Sequence, residues 1–138
     1  MEQFLKVYQE LTAENLHLLK DIYSTDVRFI DPAHEINGLS QLTEYFAELY
    51  QNVESIEFTF HDVLQHDESC YLQWVMSFRH KSLAGGKTIH VPGTTYLRLN
   101  TDRKICHHRD YFDLGMMLYE HLPLLGRLLI RIKRRLGK

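Results

Sequence analysis

Near Ile56 the hydrophobic period of this chain changes from that of a helix to that of a strand, and this switch restricts the fold more than any other feature. Upstream, apolar residues recur three and four positions apart. Phe4, Val7, Tyr8 and Leu11 predict an amphipathic helix over residues 2–11. Leu16, Leu19, Ile22 and Tyr23 predict a second helix with Thr12 as its N-cap, and Leu39, Leu42, Tyr45, Phe46, Leu49 and Tyr50 a third that Asn52 closes. Between them lies a short strand from Val27 to Asp31, stopped by Pro32, and a loop from Ala33 to Gly38. Downstream, alternation predicts four long strands at 56–65, 70–80, 88–99 and 104–113, with turn residues at His66-Asp67-Glu68, Ala84-Gly85-Gly86 and Asn100 to Arg103. Three helices burying their stripes on one concave face of a curved antiparallel sheet make an α+β cone. The wide end of a cone stays open as an apolar pocket with a few polar groups at its base.

Strand alternation assigns the faces. Cys70, Leu72, Trp74, Met76, Phe78 and His80 form one inner row, and Val91, Gly93, Thr95, Leu97 and Leu99 a second. In the last strand Cys106, His108, Asp110 and Phe112 share the face that looks into the pocket. Ionisable groups are thus concentrated where the pattern demands a core strand. His108 and Asp110 stand about 7 Å apart at the usual rise of a strand, close enough to share a water or a substrate between them. They read either as an acid/base pair or as a buried polar pair satisfied by a helix residue such as Tyr45. Trp74, Met76 and Phe78 are either plain core or pocket lining. Asp31 is either a base whose pKa is raised by apolar neighbours or a cap that accepts backbone N–H groups of the following loop, which lowers it.

A chain of 138 residues fits one domain with a single core. The net charge of −2 hides an asymmetry: residues 127–138 carry Arg127, Arg131, Lys133, Arg134, Arg135 and Lys138 with no acid, which leaves 10 bases against 18 acids, a net −8, in the rest. An acidic body excludes a nucleic-acid-binding domain, which spreads its basic residues over one face. Cys70 and Cys106 form no Cys-x-x-Cys motif and read as thiols in a reducing compartment. There are nine His, and His34, His80, His108 and Asp110 are conceivable ligands, but no helical His pair occurs, so neither a metal nor a cofactor is expected. Met1-Glu2-Gln3-Phe4 lacks the basic and apolar regions of a signal peptide, and no run is long enough to span a membrane, which predicts a cytoplasmic protein. Residues 115–138 extend beyond a cone domain of 1–114. With Pro123 at the first helical position, Leu125, Leu128, Leu129, Ile132 and Leu136 form a stripe opposite Arg127, Arg131, Arg134 and Lys138. Such a basic amphipathic helix docks on its own domain or a dimer partner, or else lies on an anionic membrane through residues 123–138.

The run Asp26-Val27-Arg28-Phe29-Ile30-Asp31-Pro32, then Gly38, Leu42 to Phe46, and the closing Lys104-Ile105 with His108-Arg109-Asp110 resemble the SnoaL-like and ketosteroid isomerase-like members of the nuclear transport factor 2-like superfamily over residues 1–114. The resemblance implies a cystatin-like cone that holds a small apolar ligand and pairs into a homodimer through the outer sheet face. It also implies one of two functions. One is cofactor-free isomerase, cyclase or dehydratase chemistry on a compound with an enolisable carbonyl. The other is a non-enzymatic module that binds a ligand or partner. On this resemblance Asp31 stands at the general base of the isomerases and Tyr8 near their oxyanion-binding tyrosine. Thr95 stands where that family has a protonated aspartic acid, and Asp110 matches the acid/base aspartate of the polyketide cyclases. His108 then orients the substrate or relays a proton, and Tyr45, Trp74, Met76, Phe78, Thr95 and Phe112 contact it.

Overall fold

The computed structural model describes residues 1–137. Helix α1 (Glu2–Glu10) buries Phe4, Val7 and Tyr8, as its spacing predicts. Thr12 caps no helix. Its N–H donates to the Asn15 side chain at 2.6 Å, and the Asn15 amide donates to the Glu10 carbonyl at 2.8 Å, so the chain turns here. The second helical segment is reduced to a 3-10 turn at Leu16–Leu18 and a single α turn, α2 (Leu19–Ile22). Strand β1 (Tyr23–Ile30) therefore begins four residues before Val27. Tyr23 is buried as expected but on a strand, because the four-residue step from Leu19 to Tyr23 suits both elements.

The expected loop holds a strand of its own. The Asp31 N–H donates to the His34 carbonyl at 3.0 Å, and β2 (Glu35–Asn37) returns antiparallel along β1. Three residues are too few to show a period. Gly38 follows with φ 90, donating its N–H to the Val27 carbonyl at 2.7 Å, and opens helix α3 (Leu39–Asn52), which buries Leu42 and Phe46. The long strands β3 (Ser55–His66), β4 (Ser69–Arg79), β5 (Ile89–Leu99) and β6 (Ile105–Phe112) complete one curved sheet in the order β2-β1-β6-β5-β4-β3. All neighbours are antiparallel except β1 and β6, which run parallel and are joined by a long connection through β2, α3, β3, β4 and β5. The α+β class, with helices on one face of the sheet, is as expected.

The inner rows of β4 and β5 bury the side chains assigned to them except His80, and on β6 Cys106 departs from its assigned face. His80 lies past the end of β4, where its Nδ1 accepts the Ser82 N–H at 3.1 Å. Cys106 leaves the inner row because β6 is bulged: Arg98 pairs with His107 but Leu99 with Ile105, so Cys106 is the extra residue and Ile105 takes the buried place. Inside the sheet, Gly93 pairs with Trp74 and lies beneath its ring.

After β6, Asp113 caps the short α4 (Leu114–Met117) by accepting the Met116 N–H at 3.1 Å. Helix α5 (Pro123–Arg135) then docks on the preceding turn by a narrow face. Gly126 is buried against the Glu120 backbone, and Lys133 bonds Asp113 at 2.7 Å and Glu120 at 3.1 Å. Leu129 and Ile130 are half-buried, while the rest of the apolar stripe, Leu125, Leu128, Ile132 and Leu136, faces solvent together with Leu124. Lys138, assigned to the basic side, lies outside the described residues.

A Cβ on Gly93 would lie 2.2 Å from Cη2 of Trp74. Gly93→Ala is expected to cost about 1–3 kcal/mol through overpacking. It should lower the denaturant midpoint and change the fluorescence of Trp74, the single tryptophan. Wild-type stability in this variant contradicts the close approach.

Candidate functional site

Between α1, α3 and the inner sheet face lies a cavity of ≈ 120 Å³. An apolar cavity of about 150 Å³ accepts benzene, so this volume suits a small molecule. Its wall is aromatic and aliphatic, with rings from Tyr8, Phe29, Phe46, Phe58, Trp74 and Phe112. Polar groups enter at three places: Asp31 and His34 from the turn between β1 and β2, Tyr45 from α3, and Asp110 from β6.

Asp110 is the end of a hydrogen-bonded chain that runs behind the wall. The indole N–H of Trp74 can only donate, and it donates to Thr95 Oγ1 at 2.7 Å. The Thr95 hydroxyl proton is thereby directed to Asp110 Oδ1 at 2.5 Å. The same oxygen accepts from His108 Nε2 at 2.7 Å, and His108 Nδ1 lies 2.7 Å from the Tyr23 hydroxyl, which in turn bonds the Tyr8 hydroxyl. One arrangement uses every buried proton: Tyr8 donates to Tyr23, Tyr23 to Nδ1, and Nε2–H to Asp110. Burial holds the phenol of Tyr8 well above its ordinary pKa, helped by Tyr23 and Asp110. Tyr23 is held up by its burial as well, against a lowering by its bond to Tyr8, so both phenols stay protonated and act as donors. His108 is 1 % exposed, enclosed by the rings of Phe4, Tyr8 and Phe29. Asp110 Oδ2 makes no hydrogen bond among the described residues, and its carboxylate lines the cavity.

Asp31 is bound differently. Its Oδ1 accepts the N–H groups of Ala33 at 2.8 Å and His34 at 2.7 Å, and Oδ2 accepts the Tyr45 hydroxyl at 3.1 Å. His34 Nδ1 lies 3.2 Å from Oδ1. This is the capping arrangement, and the turn it stabilises is the one that sends β2 back along β1. Burial, then Asp31, raises the Tyr45 phenol well above its ordinary range.

Of the residues singled out from sequence, Tyr8, Asp31, Tyr45, Trp74, Met76, Phe78, Asp110 and Phe112 all border the cavity. His108 and Thr95 stand behind it, each holding Asp110. The helix residue expected to satisfy the His108 and Asp110 pair, Tyr45, bonds Asp31 instead, and the partner of His108 is Tyr23. Tyr23 was not foreseen as part of the site, and His34, weighed from sequence only as a conceivable metal ligand, borders the cavity beside Asp31. Tyr23 meets His108 across 85 residues of sequence, a separation that carries no spacing signal. Among the described residues no three His, Cys, Asp or Glu side chains converge as ligands for a metal.

A comparison with curated proteins found no match. Solved structures that resemble the chain include a candidate SnoaL-like polyketide cyclase from Jannaschia sp. CCS1, 18% identical with a TM-score of 0.73 over 85% of this chain and 87% of that one. Another is a hypothetical protein with a ketosteroid isomerase-like fold from Catenulispora acidiphila DSM 44928, solved with trimethylamine, 21% identical with a TM-score of 0.76 over 88% and 94%. A nuclear transport factor 2-like protein of unknown function from Burkholderia pseudomallei K96243 matches at 12% identity and a TM-score of 0.74 over 86% and 93%. These likenesses establish the fold. The family model for the SnoaL-like domain matches residues 4–108, three quarters of the sequence and every element from α1 into β6, and on that match the chain belongs to the SnoaL-like domain family.

Proposed function

We propose that the cone, residues 1–114, binds a small, mostly apolar molecule and catalyses a cofactor-free proton transfer next to a carbonyl, as an isomerase, cyclase or dehydratase. Asp110 is the base. The observation that carries this is the asymmetry of its carboxylate in a residue that lines the cavity: Oδ1 is held by Thr95 and His108, while Oδ2 has no hydrogen-bond partner among the described residues. A base needs a lone pair aimed at the substrate and a carboxylate that does not turn away. Asp31, with both oxygens engaged, serves better to hold the turn and Tyr45. His108 acts through Asp110, as a positioning residue. Tyr8, Tyr45, Trp74, Met76, Phe78 and Phe112 enclose the ligand, and Thr95 contributes through Asp110 alone. The relative solved with trimethylamine supports a small-molecule site in this fold.

The protein's address is a second reading, supported by α5. Leu124 is 83 % exposed and Leu136 88 %, and with Leu125, Leu128 and Ile132 they form a solvent-facing strip with Arg127, Arg131 and Arg135 along its edge. That strip suits peripheral contact with an anionic membrane surface. No described helix is long and apolar enough to cross a membrane. The exposed Leu64, Tyr71 and Tyr111 on the other side of the sheet suit a homodimer contact, and the free thiols accord with a cytoplasmic site.

Proton abstraction is tested by solvent deuterium exchange at the α-carbon of cyclohexanone, followed by NMR. The protein is expected to accelerate exchange, and Asp110→Asn to lower that rate by about 10²–10⁴-fold with the fold intact by circular dichroism. Equal rates in the two proteins, or no acceleration by either, contradict the proposal. For the membrane reading, the protein should sediment with phosphatidylcholine vesicles containing phosphatidylserine and be released by high salt. Leu128→Glu should abolish sedimentation. Protein that stays in the supernatant with those vesicles contradicts it.

A further inference from the structure

The charges around the cavity do not balance. Asp31 follows Ile30, which pairs with Arg109 beside Asp110, so two carboxylates enter from neighbouring strand positions. Their side chains are 7 % and 17 % exposed. No Lys or Arg lines the cavity, and the basic side chain on its wall is His34, which is half exposed. The arginines next in sequence point elsewhere: Arg28 is paired with Glu35, and Arg109 stacks on Tyr111 with 5.0 Å to the ring centre. Carboxylates in apolar surroundings without a counter-charge are costly.

The hydrogen-bond directions add to this imbalance. The protons of Trp74, Thr95, His108, Tyr23 and Tyr8 are spent on one another and on Asp110, and the Tyr45 hydroxyl donates to Asp31. The cavity thus offers acceptors, with Asp110 Oδ2 unoccupied, and few free donors. Eight of its seventeen lining residues are aromatic, and ring faces carry the negative end of a quadrupole that attracts cations. Carboxylates and rings act in the same direction. Apart from the half-exposed His34, an anion finds no partner, and a neutral acceptor finds little more.

We propose that the cavity's ligand is a small organic cation, an alkylated ammonium group enclosed by the aromatic wall with the carboxylates of Asp31 and Asp110 as its counter-charge. This names the ligand class of the cavity and rests on its being the ligand site. It also accounts for the shortage of donors to a developing oxyanion, because a positive charge on the substrate itself stabilises an adjacent enolate.

Three probes of similar shape and different charge test it: tetramethylammonium, tert-butanol and pivalate, titrated into the full chain with Trp74 fluorescence and calorimetry as readouts. Tetramethylammonium is expected to bind at least about tenfold more tightly than tert-butanol, about 1.4 kcal/mol, and pivalate not at all. Asp31→Asn keeps an acceptor for the N–H groups of Ala33 and His34 while removing the charge. It should weaken tetramethylammonium binding about tenfold and leave tert-butanol unchanged. Binding of tert-butanol or pivalate as tight as that of tetramethylammonium, or no binding of tetramethylammonium, overturns the inference. So does an unchanged affinity in a folded Asp31→Asn variant; the wild-type ranking decides if that variant does not fold. These readouts report binding alone and the deuterium exchange reports turnover of a neutral ketone, so either proposal can fail while the other stands.

Discussion

The polar interior of this cone depends on the 2.7 Å hydrogen bond between His108 Nε2 and Asp110 Oδ1. An imidazole and a carboxylate placed among aromatic rings are tolerated only when their polar atoms find partners. Each end of the pair meets that demand through a different part of the chain. Thr95 and Trp74 complete the carboxylate side, and Tyr23 and Tyr8 the imidazole side. The requirement reaches into the backbone as well. Gly93 must lack a side chain for the indole to lie over it and reach Thr95, and β1 must run parallel beside β6 to bring Tyr23 within reach of His108. This polar cluster is thus also a set of packing conditions on four strands and a helix.

The two aspartates of the cavity illustrate how surroundings separate chemically identical groups. Asp31 is absorbed by the tight return between β1 and β2 and by Tyr45, while Asp110 is fixed at one oxygen and open at the other. A fixed carboxylate with an open lone pair is preorganised, since it has no orientation left to lose when a substrate arrives. Helix α5 contributes no residue to the cavity wall. Its docking through Gly126 and Lys133 leaves its apolar stripe outside, so its amphipathic pattern serves something other than the core of this domain.

Much of this was legible from periodicity. The period change at Ile56, the inner rows of Trp74 and Thr95, and the shared face of His108 and Asp110 follow from alternation alone, because long strands repeat their signal many times. Short elements do not. The three residues of β2 and the single turn of α2 are too brief to show a period, and the bulge at Cys106 depends on pairing with a strand far away in sequence. The roles within the site were harder to read than its membership. The residue pattern left Asp31 as base or cap, and the resemblance offered both Asp31 and Asp110 as the base; the hydrogen bonds that distinguish them come from backbone N–H groups, Thr95 and His108, none of which a residue pattern reports.

A directed set of hydrogen bonds fixes Asp110 through Oδ1, while Oδ2 has no hydrogen-bond partner among the described residues. The most direct measurement is the nitrogen NMR spectrum of the His108 imidazole in the intact protein. With Tyr23 donating to Nδ1 and Nε2–H donating to Asp110, Nδ1 should show the shift of an unprotonated ring nitrogen and Nε2 that of a protonated one. A proton on Nδ1 would reverse the direction of the chain through Tyr23 and contradict the account.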